Sequence, residues 1–262
     1  MNNKFLPEAY RIKEIIHETT AEYTFRVGYD KHVEHGQVFM LSIPKVGEAP
    51  ISVSGRGDGT IDFTIRKVGK LTNGIFNMRE GDTLFMRGPY GNHFPVDDFK
   101  HKDLVVIAGG TGVSPVRSTL QYFYEHEDEI KSLTFIAGFK NKESILFKED
   151  LEKFSSKFNT VYTLDNETYG GFRKGFVTEY VKYIPFKDFD DYNVIIVGPP
   201  AMIGFTAKEC VANGVDPSKI WVSFERKMSC AVGKCGHCKI NETYVCLEGP
   251  VFNYEKAKDM LD

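Results

Sequence analysis

The sequence predicts an antiparallel β-barrel, then a doubly wound parallel sheet covered by helices, then a small cysteine-bearing segment. Three observations support this fold class. Residues 1–98 alternate polar and apolar positions between frequent turns, residues 99–223 alternate continuous apolar runs with helical patterns, and residues 224–262 hold four of the five cysteines. Alternation is typical of half-buried strands, and continuous apolar runs are typical of strands buried on both faces.

The barrel prediction rests on period-two runs. Glu22–Val27 and Ile61–Arg66 alternate polar and apolar residues, and glycine and proline turns separate such runs at short intervals. Short strands with frequent turns favour an antiparallel barrel or sandwich. The polar run DDFKHKD, residues 97–103, suits a linker and marks the first domain boundary.

The parallel sheet is predicted by five apolar runs. They are Leu104–Ala108, Leu133–Gly138, Thr160–Leu164, Val194–Gly198 and Ile220–Ser223. Helical patterns lie between them, at Val116–His126, at Glu149–Ser155, near Val177–Tyr183 and around Cys210. Because strands alternate with helices, the sheet should be parallel and covered on both faces.

Composition excludes several classes of protein. The 262 residues are 42% hydrophobic with a net charge of −3, which argues against a nucleic-acid surface built on bulk positive charge. The sequence has no apolar run long enough for a transmembrane helix, so no membrane association is expected. The first residues, MNNKFLPEAYRIKE, have no apolar signal core, so we expect a cytoplasmic protein.

Cys230, Cys235, Cys238 and Cys246 follow the pattern C-x4-C-x2-C with a fourth cysteine shortly after. This is the spacing of plant-type [2Fe–2S] ligands. A structural zinc site is the alternative, although zinc sites usually use two short cysteine knuckles, and disulfides are not expected without an oxidising compartment. His237, inside the loop, is interpreted as exposed or supporting rather than as a ligand.

Two turns should meet at the carboxyl edge of the parallel sheet. Gly109, Gly110, Thr111, Gly112 and Pro115 connect the first parallel strand to a helix, whose free N–H groups suit an anion. The alternative is a tight turn without a ligand. Gly198, Pro199 and Met202 follow the fourth strand at the same edge. Paired with the first turn they could line a nicotinamide pocket, but alone they indicate only a turn.

The barrel half offers weaker candidates. Pro50, Ile51 and Ser52 form one, and Arg66, Lys67, Val68, Gly69 and Thr72 form a second near a turn that could hold a phosphate. A solvated strand with a basic end explains these residues equally well. Gly88–Asn92 is a rigid turn, structural or functional.

Taken in order, these motifs resemble the ferredoxin–NADP reductase superfamily, in its branch with a C-terminal [2Fe–2S] loop. The resemblance covers nearly the whole chain. The stretches GEAPISVSG, GPYGNHFPVD, AGGTGVSPVRS and FERKMSCAVGKCGHCKI are similar to the electron-transfer subunit of anaerobic sulfite reductase. The last two are also similar to sulfhydrogenase gamma subunits.

The resemblance implies a six-stranded flavin-binding barrel over residues 1–98, an NAD(P) domain over 99–223 and a cluster segment over 224–262. It implies that Ser52 contacts flavin N5 as the catalytic group, that Gly69 and Thr72 form the flavin phosphate turn, and that Gly109–Pro115 binds the NAD pyrophosphate. The family usually has an arginine where this chain has Ala49. Arg66 or Lys67 would then hold the phosphate, and the choice between FAD and FMN stays open.

The predicted function is electron transfer from NADH or NADPH through FAD and a [2Fe–2S] cluster to a partner reductase. The expected partners are the catalytic and iron–sulfur subunits of a multisubunit enzyme, first an anaerobic sulfite reductase. The alternatives are the gamma subunit of a cytoplasmic hydrogenase or sulfhydrogenase and the electron-transfer subunit of dihydroorotate dehydrogenase. A zinc-stabilised adaptor without enzymatic activity is the alternative of another class. Lys140 and Lys142 leave the choice between NADH and NADPH open.

Overall fold

A computed structural model describes residues 5–260 of the chain. These residues form two compact units. The barrel unit consists of residues 5–94 and 225–250, and the sheet unit consists of residues 95–224 and 251–260.

The barrel unit is built on six antiparallel strands that close into a barrel in the order β1-β2-β5-β4-β3-β6. The strands are β1 Glu8–His17, β2 Glu22–Gly28, β3 Val38–Ile43, β4 Gly47–Gly57, β5 Thr60–Arg66 and β6 Thr83–Tyr90, with the helix α1 Lys70–Ile75 between β5 and β6. Full closure removes unpaired strand edges. The predicted barrel is confirmed.

Aromatic side chains fill the barrel. Phe25, Phe39 and Phe63 are fully buried, and the rings of Phe39 and Phe63 meet edge to face with centroids 5.6 Å apart. Phe25 and Phe63 occupy inward positions of the two period-two runs, which explains why that pattern predicted strands. Burying one such ring contributes about 1.5–3 kcal/mol.

The sheet unit follows the predicted strand–helix alternation. Its parallel strands are β7 Asp103–Gly109, β8 Ser132–Phe139, β9 Asn159–Leu164, β10 Arg173–Lys174, β11 Tyr192–Val197 and β12 Ile220–Ser223. Its helices up to β12 are α2 Val96–Phe99, α3 Val113–Glu125, α4 Lys148–Ser155 and α5 Pro200–Ala212. Every residue of β7 is buried, as expected for a central strand covered on both faces.

One predicted helix has a different form. Val177–Tyr183 is a 3-10 helix rather than an α-helix. Val177 packs its side chain against Gly138, and Pro185 follows closely, which places Ile184 in an extended conformation. The short segment between these two constraints is tightened into the narrower helix.

The predicted division at residues 98 and 224 differs from the structure. Residues 95–98 belong to the sheet unit, and the C-terminal segment is divided between the units. Its first part contains β13 Lys239–Ile240, β14 Thr243–Tyr244 and α6 Val245–Glu248, and it packs with the barrel unit. Its second part contains β15 Val251–Asn253, which pairs antiparallel with β12, and α7 Tyr254–Ala257. Phe252 stacks on Phe224 with centroids 5.1 Å apart, so apolar burial draws this end into the sheet unit.

Among the helices within residues 5–260, none is both long and apolar enough to span a membrane.

Candidate functional site

The first element of the site is a cavity beside Ser52 in the barrel unit. Its volume is about 350 Å³, and Ser52 itself is buried. The lining residues are Val38, Pro50, Ser52, Glu225, Arg226, Lys227, Met228 and Pro250. Two of the predicted residues, Pro50 and Ser52, therefore share this cavity with the segment that leads to the cysteines.

The cations predicted to bind phosphate have other partners. The Arg66 guanidinium donates from Nε to the buried Glu22 carboxylate, and the Lys67 ammonium lies 5.8 Å from the centroid of the Phe76 ring. The cations that line the Ser52 cavity are instead Arg226 and Lys227. The sequence signal that could have found them is their position just before the first cysteine, in FERKMSC.

Hydrogen bonds to the Thr72 hydroxyl stabilise the turn before α1. The backbone N–H groups of Val68 and Gly69 both donate to Thr72 Oγ1 at 2.9 Å, and the Thr72 hydroxyl donates to the Gly69 carbonyl at 3.1 Å. Gly69 caps the helix, and apart from its chain neighbours no atom of residues 5–260 lies within 4 Å of the position that a Cβ would take there. The predicted turn therefore exists, with two of its amides satisfied internally and open space at its glycine.

The turns that follow β7 and β11 lie at the reversal of strand order in the sheet unit. The sheet order is β10-β9-β8-β7-β11-β12-β15, so the chain departs from β7 in one direction and returns on the other side at β11. The turn at Gly109–Gly112 follows β7, and the turn at Gly198–Pro199 follows β11. Ligands of doubly wound sheets bind at this kind of topological switch point.

Close packing explains the glycines of these turns. A Cβ on Gly112 would lie 2.4 Å from the Val197 carbonyl oxygen, and a Cβ on Gly109 would lie 2.2 Å from the Met202 sulfur. Gly110 has φ +55°, a conformation that favours glycine. Thr111 beside it is exposed, whereas Pro115 is buried in the first turn of α3. The structure thus brings together the predicted residues Gly109–Gly112, Gly198 and Met202.

The cysteine segment turns its amides toward sulfur. The N–H groups of Val232, Lys234 and Cys235 lie 3.4–3.5 Å from Cys230 Sγ, and the Gly233 N–H lies 3.3 Å from Cys246 Sγ. Gly233 and Gly236 have φ values of +70° and +77°, a conformation that favours glycine and bends the loop. Amides that donate to thiolates are a common feature of iron–sulfur sites.

The four thiols differ in their surroundings. Cys238 and Cys246 are buried, Cys230 is half-buried and Cys235 is exposed. The His237 backbone N–H, with further amides and Cys230, lowers the pKa of Cys235 to about 7, whereas burial raises the pKa of Cys246 to about 12. Within residues 5–260, no three His, Cys, Asp or Glu side chains are gathered closely enough to hold one metal ion. Four thiolates are the number that a binuclear cluster requires, since each iron takes two of them.

Arg87 of β6 connects the barrel wall to the cysteine segment, and sequence analysis missed it. Its Nε and Nη2 atoms donate to the two Glu48 carboxylate oxygens at 2.7 and 2.6 Å. Its Nη1 atom donates to the Tyr90 hydroxyl at 3.0 Å and to the Cys230 carbonyl at 2.9 Å, and Nη2 also donates to the Ser229 carbonyl at 3.3 Å. The hydrogen bonds to Glu48 raise the pKa of Arg87 further, so the side chain is always charged.

The turn Gly88–Asn92 makes a second connection. The Asn92 backbone N–H donates to the Gly249 carbonyl at 2.7 Å, and its side-chain amide donates to the Glu248 carbonyl at 2.8 Å. A Cβ on Gly91 would lie 2.3 Å from the Gly249 carbonyl oxygen, so the turn requires glycine here. This turn therefore supports the far end of the cysteine segment.

Three family models match the chain in the order that the fold suggests. Residues 10–94 match the oxidoreductase FAD-binding domain, residues 106–208 match the oxidoreductase NAD-binding domain, and residues 225–258 match the iron–sulfur cluster binding domain of dihydroorotate dehydrogenase B. The chain therefore uses FAD, NAD(H) and an iron–sulfur cluster. The cluster-domain match argues against the zinc-adaptor alternative.

Curated relatives match over nearly their whole length. Sulfhydrogenase 2 subunit gamma of Pyrococcus furiosus is 33% identical over 94% of this chain and 94% of its own. A probable dihydroorotate dehydrogenase B electron transfer subunit of Methanocaldococcus jannaschii is 34% identical over 96% of this chain and 91% of its own. These relatives support the two predicted alternatives better than the sulfite reductase prediction.

Solved structures share the fold. An NADH-dependent reduced ferredoxin–NADP oxidoreductase structure has a TM-score of 0.77 at 22% identity and covers 100% of this chain and 94% of its own. A ferredoxin–NADP+ reductase from Neisseria gonorrhoeae has a TM-score of 0.72 at 19% identity and covers 82% of this chain and 97% of its own. The chain thus has a ferredoxin–NADP reductase-like fold, and it belongs to the family of NAD(P)H-dependent electron-transfer subunits with FAD-binding, NAD-binding and iron–sulfur domains that includes sulfhydrogenase subunit gamma and the dihydroorotate dehydrogenase B electron transfer subunit.

Proposed function

We propose that this chain is the electron-input subunit of a multisubunit enzyme, oxidising NAD(P)H and delivering single electrons through a [2Fe–2S] cluster. The observation that carries the proposal is the Ser52 cavity, whose wall continues directly into the cysteine segment. A hydride acceptor and a one-electron carrier would then be held by one unit of the protein.

The barrel residues would hold and orient the flavin. Ser52 is buried at the cavity wall, where its hydroxyl would donate to the flavin ring, and Arg226 and Lys227 supply positive charge for its anionic groups. Thr72 would keep the Gly69 turn open for a phosphate. When bound, the flavin supplies the conversion between two-electron and one-electron transfer. Because Ala49 stands where the family usually has an arginine, Arg226 and Lys227 would supply the charge for the anionic groups of FAD.

The sheet unit would bind the pyridine nucleotide. Gly110 and Thr111 lie at the end of β7, where backbone amides and the start of α3 can face a pyrophosphate. Gly198 and Pro199 would form the opposite side of this site, and the Met202 side chain lies close to Gly109 and Gly198. Lys140 follows β8 and is exposed, so its ammonium can bind the 2′-phosphate of NADPH or remain in solvent.

The four cysteines would hold the two irons. Cys230, Cys235, Cys238 and Cys246 would supply two thiolates to each iron. The backbone N–H groups of Val232, Lys234 and Cys235 lie near Cys230 Sγ, where they would donate to the sulfur of a cluster ligand.

The similarity to sulfhydrogenase gamma subunits favours a cytoplasmic hydrogenase-type partner as the electron acceptor. The second candidate is a dihydroorotate dehydrogenase, which the match of the cluster domain favours. The sulfite reductase partner rests on the resemblance of the four sequence stretches alone.

The test is to purify the chain anaerobically from its native host with a small affinity tag, together with whatever subunits accompany it. NADH should bleach both the flavin and cluster absorption, and the complex should then be assayed with H2, dihydroorotate and sulfite in parallel. NADH-linked H2 turnover supports the first candidate, dihydroorotate turnover supports the second, and sulfite turnover would restore the third. A chain that binds flavin but shows no cluster reduction by NADH would overturn the electron-input proposal.

A further inference from the structure

We propose that Arg87 is a positioning residue that fixes the cysteine segment to β4, the barrel strand that carries Ser52. This inference rests on the proposed function and extends it to a residue outside both cofactor sites. The supporting observation is a single buried guanidinium that contacts three separate parts of the barrel unit.

Each of the five guanidinium N–H groups has a nearby acceptor. The bonds run to the two Glu48 oxygens, the Tyr90 hydroxyl and the carbonyls of Ser229 and Cys230. The side chain is 8% exposed, so water cannot readily replace these acceptors. A planar fork with five donors meets this requirement, whereas a lysine ammonium has only three donors and no fixed plane.

The positions of the hydrogen-bond partners show which parts of the chain Arg87 connects. Glu48 lies on β4, the strand that carries Pro50 and Ser52 into the flavin-side cavity. Cys230 is the first cysteine of the segment, 143 residues from Arg87 in sequence. Arg87 therefore connects the strand that lines the cavity to the backbone of a predicted cluster ligand.

The Glu48 carboxylate also reduces the electrostatic effect of the Arg87 charge on the cysteine segment. The carboxylate takes the two shortest bonds, so the guanidinium is largely neutralised on that side. Its three remaining N–H groups are fixed in direction and point at the Tyr90 hydroxyl and at the carbonyls of Ser229 and Cys230. The main effect of Arg87 should therefore be on geometry, with a smaller effect on the potential of the cluster.

The experiment compares Arg87→Lys with the intact chain, with Arg26→Lys as the matched control. Arg26 also makes a forked bond to a barrel carboxylate, that of Asp62, but it pairs within the barrel wall. Each protein is analysed for iron and flavin per chain, for the electron paramagnetic resonance spectrum after dithionite reduction, and for the rates at which NADH reduces flavin and cluster in stopped flow.

Arg87→Lys should keep its flavin and its rate of flavin reduction, because Ser52 and its cavity are unchanged. Its resonance spectrum should broaden or split, and NADH reduction of its cluster should slow about tenfold or more relative to flavin reduction. Arg26→Lys should match the intact chain in all of these measurements. Glu48→Gln keeps the shape of the partner while removing its charge, and it should broaden the spectrum and slow cluster reduction less than Arg87→Lys does. If Arg87→Lys does not fold, an unchanged spectrum and cluster rate in Glu48→Gln alone would count against the inference.

An unchanged spectrum and an unchanged cluster rate in both Arg87→Lys and Glu48→Gln would overturn the inference. Absence of flavin or cluster from the intact chain would instead overturn the proposed function, so the two failures are distinguishable.

Discussion

The cysteine segment and the nucleotide edge of the sheet are two sites built on opposite uses of side chains. The cysteine segment depends on the side chains it has, four thiols toward which backbone amides turn. The edge predicted to bind nucleotide depends on the side chains it lacks, since a Cβ on Gly112 would meet the backbone of Val197 and Gly198. A ligand set is specified by residue identity, whereas a close approach of backbones is specified by the absence of bulk.

This difference predicts how each site should fail. Removing one thiol takes away a metal ligand and should abolish one cofactor selectively. Adding one methyl group at the nucleotide edge should distort backbone and weaken both folding and binding. Changes of the same residue types outside the two sites should have small effects.

The largest expected effect is that of Cys246→Ser. Cys246 is buried and is one of the four predicted ligands, so its loss leaves one iron without a full set of thiolates and the cluster should be lost or bound at a small fraction of its normal content. Iron and sulfide analysis would measure this, with flavin content as the internal reference.

The matched control is Cys210→Ala, which removes a fully buried thiol from helix α5. It should keep a full cluster. Equal iron content in Cys246→Ser and the intact chain would refute the assignment of Cys246 as a ligand.

The next effect is that of Gly112→Ala. Its Cβ would lie 2.4 Å from the Val197 carbonyl oxygen and 2.8 Å from Gly198 Cα, both backbone atoms that cannot rotate away. Overpacking of this kind costs about 1–3 kcal/mol, and displacement of the second turn should weaken NADH binding about tenfold. Urea unfolding and NADH titration would measure the two effects. Wild-type affinity in this variant would show that the edge does not bind the nucleotide.

A smaller effect is the dependence of stability on pH that the fifth cysteine, Cys210, should cause. Burial raises the pKa of Cys210 from its ordinary value near 9 to about 12. Above pH 9 the unfolded thiol ionises while the folded thiol stays protonated, so its contribution to stability is present below pH 9 and is lost as pH rises toward 12, with a slope of up to about 1.4 kcal/mol per pH unit.

Urea unfolding of the intact chain and of Cys210→Ala at about pH 8, 10 and 11 would isolate this contribution. The stability advantage of the intact chain over the variant should shrink with each step. A constant difference across that range would contradict the burial of the thiol.

The smallest effect is that of Gly204→Ala, a glycine in helix α5 outside the nucleotide turns. Apart from its own helix backbone, no atom of residues 5–260 lies within 4 Å of its Cβ position. Alanine should stabilise the helix by about 0.5–1 kcal/mol, because glycine loses more conformational freedom on folding. Thermal unfolding would detect the gain, and NADH affinity should not change. A destabilisation equal to that of Gly112→Ala would remove the distinction between the two kinds of glycine.

The local sequence pattern was sufficient to predict the strands and turns. The alternation in Ile61–Arg66 and the apolar run Leu104–Ala108 correspond to β5 and β7, since strand burial repeats along the chain itself. The cysteine spacing and the glycines after β7 were equally visible, because each motif lies within a few consecutive residues. Sequence analysis therefore identified both candidate sites and the class of fold.

The roles of charged residues were not predictable in the same way. Arg66 suited a phosphate site by its position, yet its guanidinium pairs with Glu22, 44 residues earlier. Arg226 and Lys227 reach the Ser52 cavity from a segment more than a hundred positions away. A long flexible side chain takes the partner that folding brings near, and no local spacing encodes that choice.

The sequence by itself determined what the chain can bind: four thiols at cluster spacing, glycine turns at strand ends and a barrel with an aromatic core. Only the tertiary structure decided how these parts are connected. It divided the C-terminal segment between two units, because Phe252 packs on Phe224 while the cysteines stay with the barrel. It also placed Arg87 between Glu48 and Cys230, since the five donors of a buried guanidinium must all be satisfied by groups that are distant in sequence.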